Sequence, residues 1–329
     1  MTPLSILDLV RVTQTTDARG ALINARDVAV HAERWGYNRI WVAEHHNMAG
    51  VASAATAVVI GYIADGTQRI RVGAGGIMLP NHAPYVIAEQ FGTLERLFPG
   101  RIDLGLGRAP GTDQLTLRAL RRPAEAADHF PQDVLELQAF LAPPGPDQRI
   151  VAVPAAGTDV PLWILGSSVF GAALAAELGL PYAFASHFAP DYLLPALELY
   201  RNRFKPSEQL GKPYAMVGVN IVAADSDAEA RRLATTQQMS FTDLVSGRRG
   251  LSRPPIDDIE TYWAGAQKEH ARRMLARSIV GGPETVRAGI SALLAETGAD
   301  ELIIVSDVYE HAARLRSFEL IAAAWWGGV

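Results

Sequence analysis

Short apolar and β-branched runs alternate along this 329-residue chain with longer stretches whose apolar positions recur at helical spacing. A short run of that kind marks a strand, and an apolar stripe repeating about every 3.6 residues marks a helix packed on one face. The pair first appears as "SILDLV", a candidate strand, followed by Leu22, Ala25, Val28, Ala29, Ala32 and Trp35 on one helical face, with Gly36 as the stop. "RIWVA" predicts a second strand. After it come an alanine-rich helix from Ala52 to Ala64, the strand "IRVGAGGIML", a helix from Pro84 to Leu97 and the strand "RIDLGLG".

Past Arg108 the rhythm loosens into a helical stretch around "DVLELQAFL" and a proline-rich insertion, "APPGPDQRIVAVPAAGTDVP", which reads as a surface excursion. The strands "PLWIL", "YAFAS" and "YAMVGVNIVAA" then each lead into a helical segment. "SGRRGLSRPPIDD" interrupts the last of these and predicts a mobile loop near 245–257. "ELIIVS" supplies an eighth strand, closed by a helix through "SFELIAAAWW". Eight strands, each followed by a helix, predict an α/β fold: a single (β/α)8 TIM barrel with insertions, one domain over residues 1–329.

Composition narrows the partners. Hydrophobic residues make up 49% of the chain, enough for a large core, and no apolar run approaches the roughly 18 residues of a membrane span. The N-terminus enters a strand without a leader pattern, so a cytoplasmic protein is expected. With no cysteine, disulfides, thiolate metal sites and thiol nucleophiles are excluded. A net charge of −5 disfavours nucleic acid, which needs clustered lysine and arginine. A small molecule is the expected partner.

In a barrel the chemistry gathers at the C-terminal ends of the strands. There the sequence places Glu44-His45-His46 after strand two, Gly73-Ala74-Gly75-Gly76 within strand three and Gly107-Arg108 after strand four. Gly166-Ser167-Ser168 follows strand five and Ser186-His187 follows strand six. Adjacent residues of extended chain face opposite sides, so His45 and His46 do not easily share a metal ion, and no metal site is expected. One imidazole should face the barrel mouth, suited to a general base or a hydrogen-bond donor; a polar loop that satisfies its own backbone is the plainer alternative. Arg108, with the serines at the start of a helix near Val169, would bind a phosphate, though Ser167 and Ser168 also read as an ordinary N-cap. Glycines in strand three mark a tight bend or the close approach of something flat. The second helix is apolar on nearly every face, which predicts a subunit interface or a covering loop.

In the order and spacing of "RIWVAEHH", "IRVGAGGIMLPNHAPYVIAEQFGTLERLFPGRIDLGLGRAPGTD" and "LWILGSSVFGAALAAELGLP", the chain resembles the bacterial luciferase-like monooxygenases over nearly its whole length. The resemblance implies an FMN-binding barrel, dimeric through helices two and three. It would use reduced FMN from a separate flavin reductase and dioxygen, through a flavin hydroperoxide, on an unidentified small organic substrate. By position it makes His45 the catalytic histidine, Arg108 the phosphate-binding arginine, and Gly166, Ser167 and Ser168 the phosphate loop. Ala74, Gly75 and Gly76 would flank the flavin ring, with a cis peptide between the two glycines. Gly107 stands where the luciferases carry a reactive thiol and Ser167 where they carry an acidic residue, so light emission is not implied. A deazaflavin-dependent hydride transfer, a flavin-binding protein without turnover and a histidine-based metal hydrolase are the competing expectations.

Overall fold

The computed structural model describes residues 1–109, 113–248 and 250–327. Pro110, Gly111, Thr112 and Arg249 of the stretches quoted above therefore lie outside the described residues. Strand β1 (Leu4–Asp8) leads to α1 (Ala18–Arg34), β2 (Arg39–Val42), α2 (Thr56–Asp65), β3 (Arg71–Met78), α3 (Pro84–Leu97) and β4 (Ile102–Gly107). The short α4 (Gln114–Ala119) and α5 (Phe130–Leu141) precede β5 (Leu162–Gly166), α6 (Val169–Leu178), β6 (Tyr182–Phe184), α7 (Leu193–Arg203) and β7 (Ala215–Ala223). The chain ends with α8 (Asp227–Val245), α9 (Gly265–Met274), β8 (Ile279–Gly281), α10 (Pro283–Thr297), β9 (Glu301–Val305) and α11 (His311–Trp326).

Strands β1 to β7 pair in parallel in chain order, and β9 pairs with both β7 and β1, which closes an eight-stranded barrel inside a ring of helices. Alternation of side chains along each strand splits the core in two. Leu7, Trp41, Trp163, Met216 and Ile303 point inward, whereas Ile6, Ile40, Val72, Leu104 and Ile164 meet the helices. Helix α1 shows how sequence sets an outer element: Asp17 caps it by accepting from the Gly20 N–H at 2.7 Å, and Ala21, Ala25, Val28, Ala29 and Ala32 are its buried stripe.

The lower end of the barrel is sealed by charge. Arg39 donates to Asp103 at 2.7 Å and to Glu301 at 2.9 Å, and its guanidinium stacks on Trp163 at 4.8 Å. Ser5 and Tyr214 also donate to Glu301, and Arg71 reaches Asp103 at 2.6 Å. Burial works against the Arg39 cation, but the two carboxylates outweigh it and raise its pKa above the ordinary value.

Three expectations are corrected. A ninth strand, β8, pairs only with the outer half of the nine-residue β7 (Ile221↔Ile279 to Ala223↔Gly281) and stands outside the barrel. Helix α2 begins at Thr56 rather than Ala52, because the backbone before it is tied to neighbouring strand exits: Ala52 donates to the Val10 carbonyl and Ser53 accepts from the His45 N–H. The proline-rich insertion is not wholly superficial, since Ala152, Ala155 and Val160 are buried and Ala155 packs against Gly92, where a Cβ would stand 2.2 Å from its Cα.

Candidate active site

At the C-terminal end of the barrel opens a cavity of about 650 Å³, walled by residues at or just beyond strand ends, among them Ala43, Met78, Gly107, Gly166, Ala185 and Val305. That volume lies within the range of pockets that enclose a sizeable organic ligand. His45, Gly75, Gly76, Arg108, Gly166, Ser167 and Ser168 all line it. Ala74 does not: its methyl is fully buried between the barrel wall and the helices. Strand alternation is the reason, because Gly73 and Gly75 take the inward positions on either side of it; a Cβ on either would meet Trp41 inside the barrel.

One pole of the cavity has the chemistry of an anion site. Arg108 is exposed and lies over the Phe170 ring at 4.2 Å, with no ion-pair partner among the described residues. Ser168 stands at the N-cap of α6 in extended geometry, φ −148° and ψ 170°, but its hydroxyl makes no capping bond. The Tyr182 hydroxyl donates to the Ser168 carbonyl at 3.1 Å and fixes the loop. A guanidinium, two hydroxyls and the free N–H groups of a helix start thus converge. The nearby Gly75–Gly76 peptide is cis.

The two histidines of β2's exit part company. His45 faces the cavity, and its backbone N–H donates to Ser53 at 3.3 Å. His46 turns behind the wall, where its Nε2 meets the Glu44 carboxylate at 2.7 Å. His82 reaches the same Glu44 oxygen at 2.8 Å, and the Met78 N–H donates to the other at 3.1 Å. Burial would raise the Glu44 carboxyl, but these three contacts outweigh it and pull the pKa down to about 2. The ligand atoms of Glu44, His46 and His82 lie within 4.8 Å of one another, spacing that a metal ion could bridge. Spacing along the sequence tested His45 against His46 and missed this group; His82, a lone imidazole just past strand three, was the available signal. The hydrogen bonds among these groups also tie the exits of β2 and β3 together.

The loop expected to be mobile is stitched down at its centre. Ser252 pairs with Thr13 in a β-bridge, exchanging bonds with Gln14 and Val12 at 3.0 Å, and Gly250 abuts Gly50. Arg248, Leu251 and Arg253 from this segment cover the cavity, with both arginines held by Asp243 at 2.8 and 3.1 Å. Among the described residues no helix is long and apolar enough to cross a membrane.

A profile of the luciferase-like monooxygenases matches residues 2–301 of the chain. A protein of Escherichia coli (strain K12) described as a luciferase-like monooxygenase is 51% identical over 317 residues, covering 96% of this chain and 95% of its own. The crystal structure of apo-MsnO8 is similar with a TM-score of 0.91 and 33% identity, covering 98% of both chains. The oxygenating constituent of 3,6-diketocamphane monooxygenase from Pseudomonas putida, a Type II Baeyer-Villiger monooxygenase solved with FMN, shares the fold at a TM-score of 0.74 and 17% identity, covering 100% of this chain and 99% of its own. With a closed parallel barrel, a cavity at the strand ends and this sequence match over nearly its full length, the chain belongs to the luciferase-like monooxygenase family.

Proposed function

We propose that the protein binds FMN in the barrel-top cavity and uses its reduced form with dioxygen to oxygenate a small organic substrate. The observation that carries this reading is the anion pole: a guanidinium without an ion-pair partner among the described residues, the Ser167 and Ser168 hydroxyls and the start of α6, all in the lining of one cavity. Those groups fit a dianionic phosphate, and the Gly75–Gly76 wall leaves room for a planar ring. Binding of FMN by a protein of the same fold supports the choice of flavin. When bound and reduced, the flavin supplies the electrons that activate dioxygen. The chain's own residues bind, orient and shelter. Arg108 and the serines hold the phosphate, Gly75 and Gly76 support the ring, and His45 holds or moves a proton at its imidazole facing the cavity. Arg248, Leu251 and Arg253 keep water from the mouth.

A separate reductase in the same cytoplasmic setting would supply the reduced flavin. Two copies would meet through α2 and α3, which leave Val58, Tyr62, Val86 and Leu97 exposed. The test is FMN and riboflavin titration with oxygen uptake in the presence of a reductase and candidate substrates. Arg108→Ala should weaken FMN about 10- to 100-fold and leave riboflavin unchanged. His45→Ala should bind FMN normally and lose oxygenation; oxygenation at the parental rate removes His45 from the chemistry. No affinity for FMN in either oxidation state would overturn the whole reading.

A further inference from the structure

The same cavity holds a second imidazole, that of His187. This side chain follows β6, lines the cavity and meets Phe188 edge-on, with ring centroids 4.8 Å apart. Its backbone is clamped. Asn220 Nδ2 donates to the His187 carbonyl at 2.5 Å, and Gln237 Nε2 donates to Asn220 Oδ1 at 2.9 Å; both amides are buried. The ring rests on Gly218, where a Cβ would stand 2.6 Å from Nδ1, so only glycine there permits this placement.

Two nitrogens, two environments follow. Nδ1 is buried and meets no hydrogen-bond partner. A proton there would be a buried donor without an acceptor, which costs more than an empty lone pair, so the neutral ring carries its proton on Nε2. Nε2 is the nitrogen that keeps access to the cavity. Burial, reinforced by the His45 and Arg11 charges that face the ring, pushes the imidazolium pKa down to about 3. Arg11 is itself paired with Asp307 at 3.1 Å. Phe188 packs on the ring, and the cavity it faces is lined by Met239, Phe241 and Leu251 together with the paired charges Arg11–Asp307, Arg248–Asp243 and Arg253–Asp243.

We propose that His187 is a substrate-binding residue whose Nε2–H receives an uncharged acceptor, most simply a carbonyl oxygen, on an otherwise apolar substrate. The inference rests on the reading of this cavity as the oxygenation site, and gives that site a substrate class. A fixed neutral donor rewards an oxygen acceptor, and Arg11, the cation that faces the ring, is already neutralised by Asp307 and so offers a carboxylate little compensating charge. It also fixes one end of the substrate, which sets the atom presented to the flavin.

Calorimetric binding of acetophenone, ethylbenzene and benzoate, with and without FMN, tests this directly. The first two have nearly the same shape and differ in the acceptor. His187→Phe should weaken acetophenone about 3- to 10-fold and leave ethylbenzene within about twofold. His187→Gln, which keeps an N–H donor, should retain acetophenone, and benzoate should bind the wild type no tighter than acetophenone. If the phenyl ring disturbs packing on Gly218, His187→Met gives the same contrast. Equal losses for acetophenone and ethylbenzene, no loss for either, or no binding of either to the wild type would overturn the proposal. Absence of FMN binding overturns the proposed function instead, because the acetophenone contrast is read separately in flavin-free protein.

Discussion

Glutamine at position 44 keeps the shape of the side chain and removes the charge on which three N–H groups converge. The Glu44 carboxylate is 1% exposed and accepts from His46, His82 and Met78, which lower its pKa from 4.5 to about 2 despite burial. At about 1.36 kcal/mol per pH unit, that gap is worth on the order of 3 kcal/mol of stability at neutral pH. The sign is that of a depressed acid: the contribution is complete above the unfolded-state value near 4.5 and disappears as pH falls through about 2. Urea denaturation of wild type and Glu44→Gln at pH 5 and pH 3 compares the two proteins with the carboxylate charged and with its contribution partly lost. The difference between the two proteins should be about 3 kcal/mol at pH 5 and narrow by roughly 2 kcal/mol at pH 3. A difference of the same size at both values would show that Glu44 acts through shape, not charge. Equal stability at pH 5 would show that the three contacts carry no net energy.

At the barrel base, Arg39→Met leaves Glu301 buried without its guanidinium and should cost about 3 to 5 kcal/mol in chemical denaturation; a loss under about 1 kcal/mol would mean that water enters and screens the site. Gly76→Ala would press a Cβ to 2.7 Å from the Gly105 carbonyl oxygen, a backbone atom that cannot yield, and should destabilise by about 2 to 3 kcal/mol. Gly107→Ala meets the Met78 sulfur at 3.4 Å and the Ile77 carbonyl oxygen at 3.8 Å, both ordinary contacts, and should stay within about 0.5 kcal/mol, so equal melting of the two variants would contradict this account of the wall.

The barrel was legible from periodicity because each strand must bury two faces and each helix one, and both demands leave a pattern in the chain. Arg39, Asp103 and Glu301 are charged residues within strands, and nothing along the chain announces that they join into one plug. The short β8 escaped because three residues carry too little pattern to separate a strand from a loop. At the site, the separation of His45 from His46 follows from chain geometry alone, and the rim position of Arg108 and the serines follows from where strands end. Ala74, expected beside the flavin ring, turns its methyl into the core instead, because in a glycine-rich strand few side chains mark which positions face inward.

Local sequence therefore determined which residues reach the barrel mouth, since strand and helix periods are set by neighbours a few positions apart. Only the closed barrel decided their partners. Glu44 meets His82 across 38 positions, Asn220 clamps His187 across 33, and Arg39 holds Glu301 across 262. Those distances along the chain are erased by packing, and packing is what turns a polar residue at a strand end into an anchor, a donor or a base.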